Sequence, residues 1–86
     1  MKPAAQIVRA AVDAAGQAGG LDEVSAIAAR GPGNMTFSAE DMAVLVEEYG
    51  TPGDAMHAIQ LEAQRRVSAA NWVLVEGNWW ALEVQT

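Results

Sequence analysis

His57 is the single imidazole of this chain and cysteine is absent, so the side chains readiest for proton transfer, metal ligation and nucleophilic attack are scarce. His57, Gln60 and Gln64 form a polar stripe at helical spacing, opposite Met56 and Ile59. A zinc centre needs further His or Cys ligands, and the composition supplies neither. A nucleophilic triad would have to pair His57 with Ser25, Ser38 or Ser68. None of these serines sits in a nucleophile elbow or beside a Gly-rich oxyanion motif. Gly31-Pro32-Gly33 is not followed by Lys-Ser/Thr, and its proline lacks a donor that a phosphate loop would use; it reads as a turn. The expectation is therefore no catalytic residue, no cofactor site, no metal site and no enzyme activity.

What remains is the chemistry of charge. Eleven Asp and Glu face five Lys and Arg, giving a formal charge of −6. Glu40, Asp41, Val44, Glu47 and Glu48 share the outward stripe of a helix expected at 38–49, with Asp54 just beyond it. Glu40 and Asp41 lie near the positive end of that helix's dipole. Glu47 and Glu48 lie at the negative end, where each carboxylate costs about 0.3–1 kcal/mol. Acids clustered on an exposed helix seldom form the buried, unequal pair that acid–base catalysis uses, and their spacing matches no calcium loop. Two readings follow: a docking patch for a protein with a basic surface, or a solvated face neutralised by Arg65, Arg66 or Lys2. A net negative chain is poorly suited to the counterion release that drives nucleic-acid binding. It is equally poorly suited to an anionic membrane.

Residues 71–86 hold all three tryptophans and read as a hairpin, with strands at 72–76 and 79–84 joined by Gly77-Asn78. Both loop residues tolerate the positive φ of a primed turn. Alternation along the strands puts Val73, Val75, Trp80, Leu82 and Val84 on a uniformly apolar face. The other face is mixed: Trp72, Leu74, Glu76, Trp79, Ala81 and Glu83. A Trp side chain buries roughly 150–250 Å², so Trp72, Leu74 and Trp79 are either covered by another element or form a contact patch, where Trp often dominates the energetics.

The elements that would position these groups are a helix at 3–18, a second at 21–30 after a loop or bend at Gly19-Gly20, the capped helix 38–49, and a fourth at 52–69. Asn34-Met35-Thr36-Phe37 is a short extended candidate. Ser38 with Asp41 approximates a capping box, flanked by a Phe37–Met42 staple, and Gly50 ends that helix. Thr51-Pro52-Gly53-Asp54 restarts the chain as a cap. Met42, Leu45, Val46 and Tyr49 form one buried stripe; Met56, Ile59, Ala63, Val67 and Ala70 form another. Arg65 and Arg66 fall near a C-terminal helix end, where cations suit the dipole. The fold class is α+β: three to four helices with a C-terminal two-stranded β-hairpin, in one domain over 1–86. Eighteen of the residues are Ala, so the core is small, and a partner or a second copy would add burial. No apolar run approaches the ~20 residues of a membrane span, no secretory signal is evident, and a cysteine-free chain suits the cytoplasm.

The order helix, extended piece, helix, tight turn, helix, hairpin resembles a winged helix, with 38–67 as the helix-turn-helix unit and the hairpin as wing. The resemblance covers 21–85 by element order, with no family motif. It implies a DNA-associated regulator whose second helix offers His57, Gln60, Gln64 and Arg65 to a groove. The acidic first helix and a wing tipped by Glu76 leave phosphate contacts undersupplied. The favoured expectation is a small acidic noncatalytic protein-binding module, an inhibitor or adaptor on a larger partner, such as a phage-type antagonist of host machinery. Its candidate docking residues are Trp72, Leu74, Trp79, Glu40, Asp41, Glu47, Glu48 and Asp54.

Overall fold

The computed structural model describes the backbone of residues 2–72 and the side chains of 2–69. Three helices make up this region: α1 (Ala4–Arg30), α2 (Ala39–Tyr49) and α3 (Pro52–Trp72). Pro3 stands at the N-cap of α1 in extended conformation, and its carbonyl accepts from the N–H groups of Gln6 and Ile7 at 3.0 and 3.2 Å. Lacking an N–H, proline leaves no orphan donor there.

Gly19-Gly20 is expected to separate two helical segments by a loop or a bend, and the structure makes it a bend with no intervening loop. Gly20 has φ 69° and ψ −159° inside α1, a backbone region essentially reserved for glycine. A straight helix of 27 residues would be about 40 Å long, more than the 35 Å longest dimension of the molecule. The bend creates a first arm, 4–19, and a second arm, 21–30. Gly31 then stops the helix at φ 86°, its N–H bonded to Ile27 O at 2.7 Å. A turn follows, closed by Met35 N–H to Pro32 O at 3.3 Å. Residues 34–37, where an extended piece was expected, are turn and irregular connection rather than strand.

The α+β expectation is overturned. The described residues contain three helices and no strand, in conflict with the β-hairpin fold and with the winged-helix resemblance. Trp72, read as the first residue of a hairpin strand, is instead the last residue of α3. The helical propensities of Glu62, Ala63, Gln64, Arg65, Arg66, Ala69 and Ala70 carry α3 past the expected end at 69. The remaining hairpin positions, 73–86, lie outside the described residues.

α3 is the element on which both arms of α1 pack. Arg66 meets Asp13, and a hollow lined by Ala5, Val8, Arg9, Ala58, Leu61, Glu62 and Arg65 continues the same register. Sequence numbers rise together along this seam, so α3 runs parallel to the first arm. The early turns of α3 meet the far end of the second arm, where Gln60 and Gln64 reach Ala28. The core between them joins Ile7, Val8, Val12, Val24, Ile27, Leu45 and Ile59 with Ala4, Ala15, Ala55 and Ala63. Its many alanines let helices approach closely, the expected consequence of the composition. Val44, placed on the outward stripe from sequence, is half-buried and packs against this core. The bulkiest fully buried side chain among the described residues is not apolar: it is Arg66, 1% exposed.

Candidate protein-docking surface

The capping signals that set α2 are borne out. Ser38 Oγ accepts from Asp41 N–H at 3.1 Å, and Gly50, at φ 99°, donates its N–H to Val46 O at 2.7 Å. Among the described residues only the Ser38 half of the capping box forms: the Asp41 carboxylate lies 3.7 Å from Lys2 Nζ instead. That ion pair is partly solvated, with the Lys2 side chain 55% exposed, and contributes little on its own.

The other carboxylates of the stripe point to solvent. Glu40, Glu47 and Glu48 are exposed, and among the described residues none of them has an ion-pair partner. Glu47 and Glu48 line a hollow of about 310 Å³ with Lys2, Pro3, Ala4 and Val44, where the start of α1 meets α2. The last turn of α2 has no basic residue. Asp54 is exposed in the first turn of α3, where its N–H caps onto Thr51 Oγ1 at 3.0 Å and its charge suits the dipole. The structure thus keeps Glu40, Asp41, Glu47 and Glu48 on one helix, pairs Asp41, and leaves Asp54 beyond the following turn.

The arginines that the solvated-face reading assigns to these acids are engaged elsewhere. Arg66 Nη1 donates to Asp13 Oδ1 at 2.5 Å and its Nε to Glu62 Oε2 at 2.7 Å, while Arg65 Nη2 meets the same Glu62 oxygen at 2.6 Å. Neither arginine serves the C-terminal dipole, because α3 continues beyond them and its last turn holds no basic residue. Sequence reasoning missed Arg66 as an interior group. The signal was present: Ile59, Ala63, Arg66 and Ala70 are spaced as one helical face, and Arg66 occupies its middle.

His57 is exposed, and the glutamines sharing its stripe have another role. Gln60 Nε2 and Gln64 Nε2 both donate to Ala28 O, at 3.1 and 3.0 Å. Ala28 is in the last turn of α1, where carbonyls lack intrahelical donors, so the glutamines act as a side-chain cap supplied by α3. No group of three His, Cys, Asp or Glu among the described residues is arranged to hold a metal ion. No helix there is long and apolar enough to cross a membrane. Of the aromatic docking residues expected from sequence, Trp72 is placed only as the backbone end of α3, and Leu74 and Trp79 lie outside the described residues. Comparison with protein-family models, curated proteins and solved structures finds no match to this chain.

Proposed function

We propose that the protein is a small acidic, noncatalytic protein-binding module that acts as an inhibitor or adaptor by seating the outer face of α2 on a basic surface of a larger partner. The observation carrying this reading is the state of Glu47 and Glu48: exposed, without an ion-pair partner among the described residues, and at the helix end where negative charge is disfavoured. Local disadvantage of this kind is often retained for function. Glu40 extends the same surface toward the start of α2, and the Lys2–Asp41 pair borders it. Charge complementarity of this type steers encounter and selects partners more than it adds affinity. The reading takes the cytoplasm as its setting, which the absence of cysteine permits.

The test uses the full chain as bait in an extract of the producing cell, beside a Glu47→Lys/Glu48→Lys variant of unchanged circular dichroism. A protein held by the wild type, released as salt is raised and lost with the variant supports the reading. A protein held equally by both baits, or no specific capture at all, rejects it.

A further inference from the structure

A second surface owes nothing to the acids of α2. The two arms of α1 and the connection 31–37 enclose a cleft of about 560 Å³. Ala14, Ala18 and Gly19 line it from the first arm, Ile27 from the second, and Met35 and Phe37 from the connection. Small residues on the first arm leave the room, while Ile27, Met35 and Phe37 supply apolar walls; only one carboxylate, Glu23, reaches the lining. An opening of this size takes a group as large as an aromatic side chain.

We propose that this cleft is the docking site of the chain's own C-terminal segment, filled by Trp79 and Trp80. Three observations select this occupant. The first is position. Arg66 of α3 meets Asp13 at a separation of 53 residues, and α3 runs parallel to the first arm. The same offset brings the last residue of α3, at 72, level with Gly19, which lines the cleft. The second is reach. Residues 73–86 can span about 46 Å when extended, more than the longest dimension of 35 Å, so the cleft is within reach from residue 72. The third is chemistry. Gly77-Asn78-Trp79-Trp80-Ala81-Leu82 is an uncharged run bounded by Glu76 and Glu83. Its bulky rings complement a surface of small side chains, and the run itself brings no further carboxylate to a lining that already holds Glu23. Filling it would also cover Met35 and Phe37, both half-buried.

Tryptophan emission reads only the end of α3 and this segment, because the chain has Trp only at 72, 79 and 80. In the full chain carrying Trp72→Phe, the signal comes from the two proposed docking side chains. Ala14 is exposed on a helix, so Ala14→Arg obstructs the cleft without removing a core group, and Ala43→Arg on α2 is the matched control. Docking requires blue-shifted, poorly quenched emission that is independent of protein concentration. It further requires a red shift and a several-fold rise in acrylamide quenching with Ala14→Arg but not Ala43→Arg, at unchanged circular dichroism. Freely quenched indoles in the parent chain, or emission indifferent to Ala14→Arg, overturn the proposal. Shielding that vanishes on dilution overturns it in favour of a second copy. The α2 charge variants do not enter this measurement, so its outcome is separate from that of the partner capture.

Discussion

Arg66 holds Asp13 across 53 residues of sequence, its Nη1 2.5 Å from Oδ1, and fixes the first arm of α1 to α3 while its Nε holds Glu62 on its own helix. The guanidinium is 1% exposed, the Glu62 side chain 11% and Asp13 31%, so desolvation is concentrated on the arginine. Removing the partner of a buried charge is costlier than the net worth of the pair, because the charge left behind has lost its water. Arg66→Ala takes the buried donor from both Asp13 and Glu62, leaving Glu62 only the more exposed Arg65, and opens a cavity in place of a bulky buried side chain, at a cost of about 3–5 kcal/mol. Asp13→Asn keeps an acceptor near solvent and loses only the charge assistance, at about 1–2 kcal/mol. Arg66→Lys falls between them, since a single ammonium cannot reproduce the planar fork that bonds Asp13 and Glu62 together. Urea unfolding of the three variants checks the order. An Arg66→Lys unfolding midpoint equal to that of the wild type would show that charge alone suffices at this position.

Gly19 and Gly20 are adjacent but resist substitution for different reasons. A Cβ at Gly20 would meet nothing within 4 Å, so the cost of Gly20→Ala is that of forcing a side chain into φ 69°, ψ −159°, about 1–3 kcal/mol. A Cβ at Gly19 would lie 2.7 Å from Glu23 Cβ, a clash with an atom close to the backbone that cannot rotate away. Gly19→Ala is therefore destabilising as well. Glu23→Ala should not relieve it, because alanine keeps the offending Cβ, whereas Glu23→Gly should recover part of the loss. A double-mutant cycle measures this coupling, and rescue by Glu23→Ala would contradict the geometry.

The sequence made the ends of α2 and the start of α3 legible because caps are local: Ser38 and Thr51 bond the N–H groups three residues on, and Gly50 ends its helix in the same few residues. The apolar faces were legible too, since Ile7, Val24, Ile27, Leu45 and Ile59 follow helical spacing and are all buried. Arg66 was misread because charge type suggested a surface role while its spacing pointed inward; the deciding fact is Asp13, whose proximity depends on tertiary packing. The β expectation had a similar origin. Trp72 begins a stretch with strand-like alternation, but it also continues a run of good helix formers, and in the described chain the helix prevails through that residue. Val44 was put outside because its neighbours are acids, although it is half-buried and packs against the core.

Gln60 and Gln64 share one acceptor, Ala28 O, at 3.1 and 3.0 Å, and shared acceptors give non-additive losses. With Gln60→Leu alone, Gln64 still satisfies the carbonyl, so the cost is below that of a typical hydrogen bond, about 1 kcal/mol; the same holds for Gln64→Leu. The double variant leaves the carbonyl in the last turn of α1 without either side-chain donor, and its loss should exceed the sum of the two single losses. Hydrogen exchange at Gly31 N–H, which bonds to Ile27 O at that helix end, should accelerate mainly in the double variant. Simple additivity would show that the two amides act independently.

Glu47 and Glu48 set stability against binding in a way that separates a retained docking surface from incidental charge. They occupy the last turn of α2, exposed, with no basic residue in that turn. Replacing each with Lys converts an unfavourable helix-dipole interaction into a favourable one, a gain of about 0.3–1 kcal/mol per site at low salt. That gain should shrink as salt screens it. Glu47→Lys/Glu48→Lys should therefore raise the urea midpoint while abolishing capture of a basic partner, two effects of opposite sign from one pair of substitutions. Glu40→Lys, at the positive end of the same dipole, should weaken capture and lower stability together. If Glu47→Lys/Glu48→Lys lowers the midpoint, these carboxylates have a structural role and the charged-face reading loses its physical basis.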